Sequence, residues 1–344
     1  MKNIKWIGCS VAVGVFAWTA LTVAAEAGPT LDSIKNRGTL VCGVNTGLAG
    51  FALPDREGNF KGLDADTCRA IAAAVLGDAK KVKFVPTTAQ QRFTALQTGE
   101  IDVLTRNTTW TLLRDTDNGF NFAPPNYYDG QGFMVPKKLG VKTAKELDGA
   151  TICVQPGTTT ELNLADYFRS NKINFKPLVI EKLDEVENAY FAGRCDAYTT
   201  DRSGLAATRA QKASNPDDQI ILPDVISKEP LAPAVRHGDD EWFDIVKWVM
   251  YGLIGAEEKG ITAENVDQML KSDDPEVKRM LGVSAGLGKA LHLDEKWLYN
   301  IVKQIGNYGE IFERNVGKES PLKLERGVNA LWTKGGLMYA MPFR

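Results

Sequence analysis

Ala95-Leu96-Gln97-Thr98-Gly99-Glu100-Ile101-Asp102-Val103-Leu104-Thr105 returns further along the chain as Ala189-Tyr190-Phe191-Ala192-Gly193-Arg194-Cys195-Asp196-Ala197-Tyr198-Thr199. Both stretches read as a helix end, a glycine stop and a short apolar strand that closes in polar residues. In that register Asn107 and Asp201 occupy the same place just beyond the two strands. Ligands of open α/β sheets bind outside the carboxyl ends of the strands. Two such lobes face to face present two of these edges to one cleft, which is the geometry of a clamp.

The segments around each copy extend the pattern. Before the first lie a helix over Leu31–Arg37 stopped by Gly38 and a strand over Thr39–Val44. A glycine-rich loop (Gly43, Gly47, Gly50) then surrounds Phe51, and Pro54–Gly58 reads as a turn. Asp64 reads as the N-cap of a helix over Ala65–Leu76, followed by a strand at Val82–Pro86, a helix at Gln90–Gln97 and a strand at Ile101–Thr105. Around the second copy come a strand at Ala150–Val154, a helix opening at Gly157-Thr158-Thr159-Thr160-Glu161 and running to Phe168, and a strand at Phe175–Ile180. A helix at Asp184–Ala192, a strand at Cys195–Thr199 and a helix from Ser203 to Ala213 complete it. Right-handed crossovers turn each β-α-β-α-β series into a parallel sheet.

Extended runs at Gly132–Lys137 and Glu229–Val235 are expected to carry the chain between lobes, and two crossings make a hinge. Asp240–Glu258 reads as a helix with Trp242, Ile245, Val249 and Leu253 on one stripe, and Ile261–Leu270 as another. The expected division is residues 28–134 with 234–281 as lobe 1, 135–233 as lobe 2, and 282–344 as a helical extension packed outside lobe 1.

Lys2 and Lys5, the apolar run Ile7–Val23 and Ala25-Glu26-Ala27 form a secretory signal pattern, so residues 1–27 are expected to be removed and Gly28 to begin the mature chain. Export to the periplasm follows. Cys9 leaves with the signal, and Cys42, Cys68, Cys153 and Cys195 remain. Four cysteines in an oxidising compartment allow three disulfide pairings, and the repeat favours Cys42–Cys68 with Cys153–Cys195 because each bridge then stays in one lobe. Wide cysteine spacing and only two histidines, His237 and His292, speak against a metal site. With 41 Lys and Arg against 43 Asp and Glu, and no basic tract, the chain lacks the charge pattern of a nucleic-acid binder. No cofactor is called for, and a monomer is expected.

Thr105-Arg106-Asn107-Thr108-Thr109-Trp110-Thr111-Leu112-Leu113-Arg114 places hydroxyls and an amide at a strand end and an arginine shortly after. A guanidinium fork grips a carboxylate through two parallel bonds. The alternative for Arg114 is a surface pair with Asp115 or Asp117. Gly157-Thr158-Thr159-Thr160 presents backbone N–H groups at a helix start to an anion, unless Thr158 or Thr159 merely caps that helix. Asp201 suits an ammonium, or else caps the helix at Ser203. Together these describe a site for an α-amino acid.

Gly62-Leu63-Asp64-Ala65-Asp66, Leu96–Asp102 and Gln155-Pro156-Gly157-Thr158-Thr159 occur in an order that resembles the periplasmic amino-acid-binding proteins of ABC importers. The tail stretches Asn307–Arg314 and Ala330–Tyr339 are similar to the general L-amino-acid-binding subgroup of that family. The resemblance implies a two-lobed periplasmic-binding-protein fold of α/β class. By position it implies that Arg114 grips the ligand's α-carboxylate with Thr109 and the backbone near Thr159, while Asp201 holds the α-ammonium and Asn107 adds an acceptor. Arg92 falls where acidic-amino-acid binders use an arginine for the side-chain carboxylate, though it also reads as a solvated helix residue. Leu48 stands where cationic-amino-acid binders have an aromatic wall, part of which Phe51 can supply. The implied function is capture of a broad range of L-amino acids, polar and acidic ones among them, and delivery to a membrane permease with its ATPase. The alternatives are an exported enzyme on the same fold, resembling cyclohexadienyl dehydratase, and a sensor subunit for a receptor.

Overall fold

A computed structural model describes residues 28–344, and the expected signal segment lies outside those residues. The chain opens with helix α1 (Pro29–Arg37), which Gly38 stops in a left-handed turn that an L side chain would strain. Strand β1 (Leu40–Asn45) follows, then a small hairpin of β2 (Leu53–Pro54) and β3 (Phe60–Lys61), helix α2 (Leu63–Leu76), β4 (Val82–Thr87), α3 (Gln91–Gln97) and β5 (Val103–Leu104). β1 lies between β4 and β5, parallel to both. Alternation along β1 divides the core. Leu40, Cys42 and Val44 face the cluster built on α2, while Val41 joins Ala95, Leu96 and Phe120 on the opposite face.

Short helix α4 (Leu112–Asp115) and β6 (Phe120–Phe122) lead to β7 (Tyr127–Asp129) and β8 (Gln131–Pro136). Next come β9 (Thr151–Val154), α5 (Thr159–Asn171), β10 (Lys176–Val179), α6 (Leu183–Phe191), β11 (Ala197–Asp201), α7 (Arg202–Lys212) and β12 (Gln219–Ile221). The chain returns through β13 (Glu229–Leu231) and β14 (Ala234–Arg236). The first sheet has the order β4-β1-β5-β14-β6 and the second β10-β9-β11-β8-β12. In each, three parallel strands are followed by one that runs against them and a fifth that runs against the fourth. The repeat in the sequence is thus a repeat of topology, and the mixed strand directions refine the expected parallel sheets.

Several expectations are corrected. Gly132–Lys137 is not a crossing, because β8 pairs inside the second sheet. The first crossing is β7, which pairs antiparallel with β13 in a ribbon between the sheets. Both β7 and β8 are short extended stretches next to each other in the chain, and their pairing partners distinguish them. Asp201 lies inside β11 rather than beyond it, since pairing of Asp201 with Gln131 prolongs that strand. Gly62 rather than Asp64 stands at the N-cap of α2, and the Asp64 side chain is engaged elsewhere. Gly62 has φ of 135°, and a Cβ there would collide with the Phe51 backbone.

From α8 (Asp240–Glu258) the chain stays with the first sheet, and the stripe of Trp242, Ile245, Val249 and Leu253 is buried. Of the helix expected over Ile261–Leu270, only α9 (Val266–Met269) forms. Short α10 (Pro275–Met280) and α11 (Leu287–Ala290) precede α12 (Trp297–Ile305) and α13 (Tyr308–Asn315). Trp297, Leu298, Ile301, Ile311 and Phe312 are buried in the same cluster as α2 and α8. The tail therefore completes a core as well as covering it. Cys42–Cys68 and Cys153–Cys195 are disulfide-bonded, each within one sheet unit.

Candidate functional site

The carboxyl end of β5 runs into Thr105–Thr109, all buried or nearly so. Arg106 turns back, its Nε donating to the Thr87 carbonyl at 2.8 Å. Asn107 follows in a left-handed conformation, φ 30°, which asparagine tolerates better than most residues. Its backbone N–H donates to Asp64 Oδ2 at 2.8 Å, and its side-chain oxygen accepts from Asn45 Nδ2 at 3.0 Å. Thr111 caps α4 and thereby directs Arg114 inward. Arg114 Nη1 donates to the Thr109 carbonyl at 2.8 Å, and no pair with Asp115 or Asp117 forms.

Arg92 projects from α3 into the same region and is 3% exposed, so it is not a solvated helix residue. Its Nη1 reaches Thr108 Oγ1 at 3.4 Å, and its buried Nε has no partner. The Arg92 and Arg114 guanidiniums lie 4.8 and 5.0 Å from the centre of one ring, Phe93, which gives both a cation–π surface. Among the described residues, none of Arg92, Arg106 and Arg114 forms an ion pair with a carboxylate. Burial, then the neighbouring arginine charges, lowers the Arg92 pKa well below its ordinary value. Burial brings Arg106 and Arg114 to about 10. A guanidinium keeps its proton in proteins. The three therefore stay cationic, and the shifts reflect the cost of burying them without a facing carboxylate.

The opposite wall comes from the second sheet. Thr158 caps α5 by accepting from the Glu161 N–H at 3.1 Å, which leaves the Thr159 hydroxyl for the cleft. Thr159 Oγ1 lies 3.4 Å from Thr109 Oγ1 across the cleft. Asp201 is 6% exposed and makes no capping bond to α7. Its Oδ2 accepts from Asn107 Nδ2 at 3.5 Å. Burial first, then the charges of Asp129 and Glu229, raises the Asp201 pKa well above the carboxylate range. Thr88 also bonds Glu181 across the gap at 2.8 Å, so the two units are closed on each other.

The structure thus brings Arg92, Asn107, Thr109, Arg114, Thr159 and Asp201 to one cleft, with a cationic pole and an anionic pole. Phe51 is fully buried with its ring edge-on to Tyr127, in the core cluster that also holds Leu48. Sequence reading missed Glu229, on the second crossing and 1% exposed. Its Oε2 accepts from Thr109 at 2.5 Å and Thr159 at 2.9 Å, and its Oε1 from Asn163 at 2.8 Å and Ser227 at 2.5 Å. Phe93, Arg106 and Asp129 were missed as well, and only the position of Phe93 and Arg106 beside named candidates pointed to them. His237 is exposed beyond β14, which runs away from the cleft, and His292 faces Glu241.

Residues 40–271 match the bacterial extracellular solute-binding proteins, family 3. The chain is 60% identical to the general L-amino acid-binding periplasmic protein AapJ of Rhizobium johnstonii, over 100% of both chains. It is 54% identical to the glutamate/glutamine/aspartate/asparagine-binding protein BztA of Rhodobacter capsulatus, over 96% of this chain and 98% of that one. A solved ABC transporter periplasmic binding protein from Brucella ovis, with glutathione bound, superposes with a TM-score of 0.90 at 57% identity. That match covers 92% of this chain and 99% of the other.

Proposed function

The chain belongs to the bacterial extracellular solute-binding proteins, family 3, and on that premise we propose that it captures free L-amino acids by closing its two sheet units around them. The observation that carries this reading is the pairing of poles. Arg114, backed by Arg92 and Arg106, faces Asp201 across a cleft whose walls come from different units. An α-amino acid carries a carboxylate and an ammonium on one carbon and joins the two. Arg114 takes the α-carboxylate with Thr109 and the start of α5, and Asp201 takes the α-ammonium with help from Asn107. Arg92 meets an acidic side chain.

Most contacts then address the groups all amino acids share, which makes the range broad. The names of the relatives support it, one being a general L-amino acid binder and another a binder of acidic residues and their amides. Glutathione, held by the Brucella ovis neighbour, offers the same ammonium–carboxylate pair at its γ-glutamyl end. The protein works in the periplasm after removal of residues 1–27, and hands its ligand to the permease and ATPase of an ABC importer. Its role on this reading is binding, in line with the relatives, which are named as binding proteins.

Calorimetry with L-glutamate, L-glutamine, L-aspartate, L-asparagine, L-alanine and glutathione tests this. Binding to several amino acids with the acidic ones among the tighter is expected. Binding to sugars with none to amino acids would reject it.

A further inference from the structure

The part of the chain beyond residue 271 lies outside the family match, and it reaches the hinge. We propose that this C-terminal part is a clasp on the first crossing, with Tyr308 and Asn329 acting as positioning residues that fix the backbone of Asn107 at the cleft. The proposal rests on the reading of that cleft as the amino-acid site.

Among the described residues the crossing strand β7 has one partner strand, β13, and no strand on its other edge. Asn329, itself buried, closes that edge. Its Oδ1 accepts from the Tyr128 N–H at 2.7 Å, and its Nδ2 donates to the Tyr128 carbonyl at 3.0 Å. Those are the two bonds a neighbouring strand would supply. Opposite Tyr128 on β13 stands Pro230, which has no N–H to offer. The clasp residue is itself held, because Arg326 Nε donates to the Asn329 carbonyl at 3.0 Å. The same guanidinium pairs with Glu257 of α8 at 3.1 and 3.0 Å and lies over the rings of Tyr308 and Phe312.

From Tyr308, which the Arg326 guanidinium overlies, a line of buried and partly buried hydrogen bonds runs to the cleft. Tyr308 donates its hydroxyl to the Asn126 carbonyl at 2.9 Å, one residue before β7. Asn126 Nδ2 donates to Asp64 Oδ1 at 2.8 Å, and Asp64 Oδ2 accepts the Asn107 N–H at 2.8 Å. Asn107 is the non-glycine residue held at φ 30°, and it reaches Asp201 of the opposite unit. A sparsely populated backbone conformation persists only where its surroundings over-determine it. Here Asp64 supplies that constraint, Asn126 orients Asp64, and Tyr308 fixes Asn126. Removing one member leaves a buried group without its partner, a loss felt along the line. Coupling from tail to cleft thus has a physical route, and the hinge strand lies on it.

The test uses Tyr308→Phe and Asn329→Ala in the full mature chain, with Lys303→Ala, an exposed tail change away from the clasp, as control. Two measurements are made: affinity for L-glutamate by calorimetry, and the distance distribution between spin labels at exposed Lys83 and Lys176 in the ligand-free protein. Each clasp variant is expected to bind roughly three- to tenfold more weakly and to show a broadened distance distribution, while the control matches the parent. Tyr308→Phe keeps the buried ring, so it isolates the hydroxyl from any loss of folding. The distances decide the proposal independently of the site reading, because they need no ligand. A broadened distribution upholds the clasp even if the parent fails to bind amino acids, and an unaltered one overturns it whatever the affinity does.

Discussion

Arg114→Ala is expected to abolish amino-acid binding at any concentration the parent protein needs, while the fold survives. Truncating one partner of a buried charge-assisted contact costs about 2–5 kcal/mol, or roughly thirtyfold to several thousandfold in affinity. Arg114 belongs at the upper end of that range. Among the described residues its guanidinium donates only to the Thr109 carbonyl, which leaves most of its bonding capacity for a ligand. Arg92 and Arg106 cannot replace it, since Arg106 is turned to the Thr87 carbonyl and Arg92 lies against Thr108. Stability of the ligand-free protein should change little. The variant loses one hydrogen bond, but it also loses a buried charge and its repulsion of Arg92 and Arg106. Calorimetry beside a thermal melt checks both halves, and near-parental affinity in a folded variant would place the carboxylate grip elsewhere.

The second large effect concerns Asp201 and has a pH signature. Burial first, then the Asp129 and Glu229 charges, raises the Asp201 pKa, and burial pushes Asp129 up to about 6. A carboxyl whose folded-state pKa is raised stabilises the fold fully below its unfolded value, near 4, and that contribution fades as pH rises through the folded value. The ligand-free protein should therefore gain stability as pH is lowered from about 7 toward 5. Ligand does the reverse, because its ammonium favours the ionised form of Asp201. Binding is then expected to release a proton as Asp201 ionises, and affinity to fall as pH falls, by up to about tenfold per pH unit for each proton released.

Asp201→Asn keeps the shape and removes the charge. It should weaken binding by about 2–5 kcal/mol and flatten the pH dependence, because no Asp201 carboxyl remains to release a proton on binding. The same slope in the variant would assign the proton to another group.

The reach of the sequence follows from which physics is local. Gly38 and Gly77 end helices in left-handed turns, and the composition around them marks those stops before any contact is known. The internal repeat gave the order of strands, and the pairs Cys42–Cys68 and Cys153–Cys195 followed from it. The hinge was misplaced because Tyr127–Asp129 and Gln131–Pro136 are adjacent extended stretches, and a strand's identity resides in its partner. Glu229 was illegible for a related reason. A glutamate between Lys228 and Pro230 reads as surface charge, and only the fold shows hydroxyls from both sides of the cleft donating to it. The tail's helices were legible, but its grip on Tyr128 runs through one asparagine side chain with no periodic signal around it.

Closure is the claim on which the rest depends. Arg114 and Asn107 stand on the first unit, Thr159 and Asp201 on the second, and ligand shifts the equilibrium only through contacts that the closed state alone completes. Small-angle X-ray scattering of the mature chain, free and saturated with L-glutamate, measures this directly. A smaller radius of gyration is expected in the saturated sample. Superimposable profiles, at a ligand concentration that calorimetry shows to be saturating, would contradict it.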